Sequence, residues 1–192
     1  MARIFGTTSD YIETTNYASI QLTDASTFTL HAKVYFTTMD NTYQIITNQE
    51  TTSIDVFGWY LSAHNQVLEF AIRKGTANAD VTTGSTTLVT GQWYDVVFTS
   101  DGTNLKAYLN NTADGTATKT TVTSTTASTE NILHGLFYDK AQLPLKGRLA
   151  EFGFWNVVLS DGERTALNNG VTASRIRPNA LICYNPLYGT SG

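Results

Sequence analysis

The sequence is short of charge and of cysteine, and it holds no long apolar run. Of its 192 residues, 12 are Lys or Arg and 16 are Asp or Glu; charged residues make up only 15%, and the formal net charge is -4. This balance is too weakly acidic for a solvating tail and lacks the basic excess that duplex binding needs, so nucleic acid is not expected as a partner. The lone Cys183 excludes a disulfide framework within the chain and a cysteine-based zinc cage. It lies in an apolar stretch, where it reads as a small buried hydrophobe. No segment reaches the roughly 18 apolar residues of a membrane-spanning helix, so no membrane partner is expected. The opening Met1-Ala2-Arg3-Ile4-Phe5-Gly6 has no apolar stretch fit for a signal peptide. There is no G-x-S-x-G elbow, and His31, His64 and His134 lie too far apart in sequence for a local ligand pair such as H-E-x-x-H.

What is plentiful is threonine, followed by Tyr, Phe and Val. β-branched and aromatic side chains fit a pleated, half-buried surface, and Thr also covers a wet sheet face without charge. The expected class is therefore all-β. Residues 27–36 alternate, placing Phe28, Leu30, Ala32, Val34 and Phe36 on one face and Thr27, Thr29, His31, Lys33 and Tyr35 on the other. The same period sets Leu68, Phe70 and Ile72 against Val67, Glu69, Ala71 and Arg73, and sets Tyr94, Val96 and Phe98 against Trp93, Asp95, Val97 and Thr99. Antiparallel sheet with one wetter face follows. Turn signals at Asp101-Gly102, Asn110-Asn111 and Asp114-Gly115 divide the chain into strands roughly every 8–12 residues, the last of these turns leading to a Thr-rich strand near Lys119 to Thr123. Ser160-Asp161-Gly162-Glu163 reads as a capping box and Asn168-Asn169-Gly170 as a left-handed stop, so one short helix is expected near 160–169. The apolar stretch Ala180 to Tyr184 should form a terminal strand pairing with the first, near Ile4-Phe5. No repeat or linker is visible, so residues 1–192 are expected to form one domain.

Four stretches carry a resemblance. They are Asp10-Tyr11-Ile12-Glu13 leading to Phe28–Val34; Gly91-Gln92-Trp93-Tyr94-Asp95-Val96 followed by Asp101-Gly102 and Leu105–Asn110; Leu145–Trp155; and Leu159-Ser160 opening the helix. Their order resembles the laminin-G-like and pentraxin-like branch of the concanavalin A-like lectin/glucanase jelly rolls. The resemblance implies an antiparallel two-sheet jelly-roll β-sandwich. It leaves function open, because one fold hosts many activities.

Glycosidases of that fold carry an E-x-D-x-x-E strand whose paired carboxylates sit roughly 5–5.5 Å apart in retaining enzymes. Here Glu151-Phe152-Gly153-Phe154-Trp155-Asn156 has glycine at the Asp position and asparagine near that of the second Glu. No catalytic residues are therefore assigned, and Glu151 is expected to be structural. The resemblance also implies a Ca²⁺ site at one end of the sandwich, since a hard cation takes about six to eight oxygen ligands. The oxygens available for it are Asp139 in the loop before Gly147, with Asn48, Glu50 and Asp55 from a second loop; a solvated loop is the competing reading, and no other cofactor is expected. Sugar faces use exposed aromatic rings, onto which a pyranose stacks its C–H face. Trp93 and Trp155 match framework positions and are expected to pack in the core or at an edge. Tyr43, Trp59, Tyr60, Phe137 and Tyr138 flank polar loops and are the expected ligand or partner surface, for glycan or for another protein chain. Asn110-Asn111-Thr112 fits a glycosylation acceptor but is more economically a hairpin turn.

The layout, rich in Thr, Asn and Gly and without a visible signal or linker, resembles small virion proteins of tailed bacteriophages. The expectation drawn from it is a non-catalytic capsid-decoration, head-fibre or tail protein, made in the host cytoplasm and mounted on the virion surface. Such a protein would dock on other virion proteins, would be compatible with a homo-oligomer, and would touch host glycans. The alternative is a carbohydrate-binding or adhesion module of a secreted protein.

Overall fold

The architecture follows from the alternation just described. A computed structural model describes residues 2–23, 26–51, 56–74, 77–120 and 126–187. Its strands are β1 (Arg3–Phe5), β2 (Ile12–Thr14), β3 (Phe28–Phe36), β4 (Gln44–Gln49), β5 (Phe57–His64), β6 (Val67–Lys74), β7 (Ala77–Thr83), β8 (Trp93–Ser100), β9 (Asn104–Leu109), β10 (Thr112–Thr118), β11 (Ile132–His134), β12 (Gly147–Trp155) and β13 (Leu181–Asn185), with helix α1 at Asp161–Asn168. They form two antiparallel sheets. One runs β1-β12-β3-β8-β9-β10 with β13 also on β12, and the other runs β2-β11-β4-β5-β6-β7.

The apolar parity of the sequence becomes the filling of the sandwich. Phe28, Leu30, Ala32, Val34 and Phe36 of β3 are all buried, as are Tyr94, Val96 and Phe98 of β8. From the facing sheet come Leu68, Phe70 and Ile72 of β6 together with Phe57, Trp59, Leu61 and Ala63 of β5. Rings meet across the gap edge to face, Phe28 with Phe70 at 6.0 Å and Trp59 with Phe154 at 5.9 Å. Each such ring or branched side chain contributes about 1.5–3 kcal/mol by leaving water.

Trp59, expected at a surface, is instead wholly buried. It shares the inward parity of Phe57, Leu61 and Ala63, and its Nε1 donates to Gln49 Oε1 at 3.2 Å, so the ring loses water without losing its hydrogen bond. Trp93 departs from expectation the other way. Although it matches a framework position, it stands 43% exposed, because its neighbour Tyr94 takes the inward place. Trp155 is buried, as expected.

Capping drives the helix. The Ser160 side chain accepts from the Glu163 N–H and the Glu163 carboxylate accepts from the Ser160 N–H, at 3.4 and 2.7 Å. Gly170 closes the end at φ +90°. Asn110 and Asn111, at φ 49° and 63°, form the two-residue turn between β9 and β10. Positive φ at both central positions suits the twist of a hairpin. This early reversal starts β10 at Thr112, so Asp114-Gly115 is a bulge inside a strand rather than the turn expected there. Of the Thr-rich strand expected near 119–123, residues 121–123 lie outside the described residues.

The last strand does not pair with the first. Both lie on the same edge of β12, end to end: Phe152 to Trp155 pair with β13 and Gly147 to Leu149 with β1. Between them Glu151 bulges at φ 57°. Its N–H donates to the Pro186 carbonyl, and its carboxylate accepts from the Tyr184 hydroxyl at 3.2 Å. Glu151 is thus tied into the sheet edge.

Candidate functional site

The residues named from sequence converge on the outer face of the six-stranded sheet. The parity that sends Trp59 and Leu61 inward sends Tyr60, Ser62 and His64 of β5 outward. Directly across on β6 stand Ala71 opposite Tyr60 and Glu69 opposite Ser62, with Arg73 opposite Gly58. On the other side Asn48 of β4 faces Tyr60. The result is a polar strip with aromatic rings set into it.

Over this strip lies the segment from Gly135 to Leu145, clamped onto β4. The Asn48 Nδ2 donates to the Leu136 carbonyl at 2.7 Å, the Gly135 N–H to Ile46 and the Ile45 N–H to Leu143. Lys140 and Leu143 hold φ of 56° and 57°, which bulky residues avoid unless surrounding contacts fix them. The clamp brings Phe137 and Leu143 onto Ile45, Tyr60 and Ala71, with Tyr43 alongside. Tyr138 meets Phe137 edge to face at 4.5 Å. Of the five aromatics expected on a ligand surface, Tyr43, Tyr60, Phe137 and Tyr138 therefore gather on one face, and Trp59 does not. Tyr60 itself is 9% exposed, deeper than expected, because Tyr43 and Phe137 roof it.

Beneath the rings is a hydrogen-bonded cluster. The Tyr60 hydroxyl donates to Glu69 Oε1 at 2.7 Å, and His64 Nδ1 stands 3.6 Å from Glu69 Oε2, beyond hydrogen-bond reach. The Tyr43 ring stacks on the His64 imidazole at 3.8 Å and 10°. Burial and the adjacent Glu69 push both Tyr60 and Tyr43 above the ordinary phenol range. Both rings therefore keep their hydroxyl protons near neutrality.

The four oxygens expected at a cation site part company. Asp139 folds back on its own loop, accepting from the Ala141 N–H at 3.0 Å and from Gln142 Nε2 at 2.6 Å. Glu50 is ion-paired with Arg73 and otherwise closed from water; burial pushes its carboxyl up to about 7 against the opposing pull of Arg73, with Asp139 adding to the rise. Asn48 uses its amide nitrogen on the Gly135–Leu145 segment. Asp55 lies outside the described residues. The Asn48 Oδ1 and Glu50 Oε2 are buried without a hydrogen-bond partner among the described residues, which is oxygen chemistry a hard cation accepts. The positive charge beside them is already the Arg73 guanidinium. Among the described residues no cluster of three or more His, Cys, Asp or Glu could hold a metal. Asp139, Glu50 and Asn48 are thus each engaged with groups of the protein itself, and no step is routed through a metal.

His64, Ser62, Glu69 and Arg73 are the members of this face that sequence reasoning missed. Their signal is parity: polar residues alternating with Leu68, Phe70 and Ile72, or with Leu61 and Ala63, mark the outward positions of a strand pair whose inward positions are core. Ser62 Oγ joins Asn48 Oδ1 and Glu50 Oε2 as a buried polar atom on this one face without a hydrogen-bond partner among the described residues. Buried polar groups nearly always have one.

On the other sheet, Gly153 explains why the glucanase-type acid pair is missing. A Cβ there would come within 2.4 Å of the Trp155 ring and 2.8 Å of the Ala173 Cβ. The position is filled by its neighbours and has no room for a carboxylate.

Comparison with known proteins places this geometry. Residues 5–163 match the family Laminin_G_3, described as the concanavalin A-like lectin/glucanases superfamily. No curated protein sequence matches. Among solved structures, a candidate carbohydrate-binding protein from Bacteroides ovatus superposes with a TM-score of 0.71 at 16% identity, over 98% of this chain and 52% of that one. The binding domain of Paraclostridial Mosquitocidal Protein 1 gives 0.70 at 13% identity, over 86% and 42%. The binding domain of botulinum neurotoxin serotype G gives 0.69 at 12% identity, over 86% and 41%. The chain spans about half or less of the length of these solved chains, and at such identities the likeness is one of fold.

Proposed function

The chain belongs to the concanavalin A-like lectin/glucanase superfamily, and within it we propose that this protein is a non-catalytic binding module whose six-stranded sheet meets glycans through its outer face. The observation that carries the reading is the adjacency of half-buried rings and polar groups on that face. Tyr43, Phe137 and Tyr138 offer ring surface, while Tyr60, His64 and Glu69 lie beside them as hydrogen-bonding groups. A sugar needs both at once, an apolar plane for its C–H face and directed partners for its hydroxyls.

The solved proteins of like fold support the reading, because their own descriptions are of binding domains and of a candidate carbohydrate-binding protein. The carboxylates of the face support a non-catalytic role. Glu69 is turned to Tyr60 and His64, Glu50 to Arg73, and Asp139 to its own loop. A virion setting is likewise a proposal, resting on the resemblance in composition, and co-sedimentation with particles tests it.

The decisive experiment is a glycan array with the purified protein, followed by calorimetry on any hit. Tyr43→Ala and Phe137→Ala should each weaken binding roughly two- to tenfold while the circular dichroism spectrum is retained, since stacking on an aromatic ring is worth about 0.5–1.5 kcal/mol. An array without a hit, binding indifferent to both substitutions, or release of sugar products from a bound oligosaccharide would each overturn the proposal.

A further inference from the structure

The seven-stranded sheet has an outer face too, and most of it is covered. Trp155, Leu159, Leu167, Ala173, Ile176 and Ala180 form a second apolar cluster there, and Arg164 of α1 lies 3.9 Å over the Tyr108 ring. Beyond that cluster one transverse row carries exposed rings and a cation. Ile4 on β1 stands opposite Arg148 on β12, Arg148 opposite Tyr35 on β3, and Tyr35 opposite Trp93 on β8. Each is the immediate neighbour of a core residue (Phe5, Leu149, Val34 or Tyr94), so all four point away from the sandwich. Ile4 is 57% and Trp93 43% exposed, Arg148 is exposed, and Tyr35 is half-buried between them.

The four side chains make one continuous strip. The Tyr35 and Trp93 rings are 5.6 Å apart, tilted by 54°, and the Arg148 guanidinium carbon lies 5.2 Å from the Tyr35 ring. Three strand spacings make the strip about 14 Å long, enough for two or three sugar units laid end to end. Its charge is one-sided. Lys33, in the next row, is neutralised by Asp95 at 2.7 Å, whereas Arg148 has no ion-pair partner among the described residues.

We propose that this row is a second binding surface, which takes an acidic oligosaccharide. Sugar rings lie on Trp93 and Tyr35, and a sugar carboxylate is held by the fork of Arg148. Two features favour this occupant. An unpaired guanidinium beside two rings matches a ligand that is both flat-faced and anionic. A strip one residue wide also offers far less than the roughly 800 Å² per partner of a stable protein interface. The proposal stands apart from the glycan reading of the six-stranded sheet, which uses none of these residues.

Trp93 supplies the measurement. Trp59 and Trp155 are closed to solvent, so quenching of tryptophan emission by acrylamide reports on Trp93. The probes are trigalacturonate, a tetrasaccharide of glucuronate and N-acetylglucosamine, and the uncharged galactose trimer. At least one acidic probe should shield Trp93, less so as salt rises, and the uncharged trimer should not. Arg148→Ala should weaken the acidic probe roughly tenfold or more, and Arg148→Lys should fall between, because it keeps the charge and loses the fork. Tyr43→Ala, on the opposite sheet, should leave the shielding unchanged. Quenching unaffected by both acidic probes, equal shielding by the uncharged trimer, or shielding produced by raising the protein concentration alone would each overturn the proposal.

Discussion

Glu50 offers a measurement that reads the candidate face through stability rather than binding. Its side chain is 2% exposed and paired with Arg73, and burial lifts its pKa from 4.5 to about 7. The folded state therefore holds this proton to a higher pH than the unfolded chain does. Between pH 4.5 and 7 the folded form carries the extra proton, so stability falls as pH rises through that window and levels off above it. One pH unit of difference corresponds to about 1.4 kcal/mol, so the loss between about pH 5 and 8 comes to about 2–3 kcal/mol. For a chain of this length that moves the melting temperature by about 5–10 °C. Glu50→Gln cannot titrate. This position then adds no pH dependence to the variant's own stability over this range. Urea unfolding of both proteins from about pH 5 to 8 should therefore show two curves that differ in slope, the wild type falling relative to the variant. Parallel curves would refute the reasoning, since a carboxyl titrating alike in both states contributes no slope.

A glycine substitution, a histidine titration and a cleavage assay test the remaining assignments. Gly153→Ala puts a methyl 2.4 Å from the Trp155 ring and should cost about 1–3 kcal/mol in chemical denaturation; wild-type stability would mean that Trp155 and Ala173 do not close over β12 as described. His134 is wholly buried between the Thr14 and Thr47 hydroxyls, each 3.1 Å away, and burial presses its pKa down to about 3. Its ring resonances should stay still in NMR titration between about pH 5 and 8, and a shift with a midpoint in that range would contradict the site. Oligosaccharides incubated with the protein should be recovered intact by chromatography, and cleavage products that disappear in Glu50→Gln or Glu69→Gln would make this face an active site.

How much of this is legible in the sequence depends on which signal a residue answers to. Alternation places β3, β6 and β8 correctly down to the side chain, because a half-buried strand has only two faces and one of them must be apolar. The capping box places α1 for an equally local reason: Ser160 and Glu163 satisfy each other. Two tryptophans show where other signals mislead. Likeness to a framework motif sends Trp93 to the core or an edge, although its own neighbour Tyr94 already claims the inward place. The polar loops flanking its strand send Trp59 to a surface, although Phe57, Leu61 and Ala63 give it inward parity. In both cases the period of two is the stronger evidence. The gathering of Tyr43, Tyr60, Phe137 and Tyr138 is beyond the reach of any local pattern. It depends on the Gly135–Leu145 segment being pinned to β4 through Asn48, a contact spanning 88 positions in the chain. No periodicity or turn signal encodes a contact at that separation.

The two outer faces of the sandwich can be compared by what covers them. A β-sandwich leaves each sheet one wet side, and this chain covers both in part, with helix α1 and its flanks on one and the Gly135–Leu145 segment on the other. Each cover is held by side chains that reach from a strand into the covering backbone: Trp155 Nε1 to the Ile176 carbonyl at 2.8 Å, and Asn48 Nδ2 to the Leu136 carbonyl at 2.7 Å. A cover fixed in this way meets the open sheet along an edge. The rings of the two proposed surfaces sit where cover and sheet meet: Phe137 and Tyr138 on one cover with Tyr43 beside it, and Tyr35 and Trp93 on a row the other leaves bare. Rings at such an edge cost little to hold, because one side packs against fixed neighbours while the other stays in water. Rings scattered over an uncovered sheet would lack that support. The same covers that stabilise the sheets thus decide where a ligand can be met, which is why each proposed surface is tested by substituting ring or cation and leaving the hydrogen bonds that hold its cover intact.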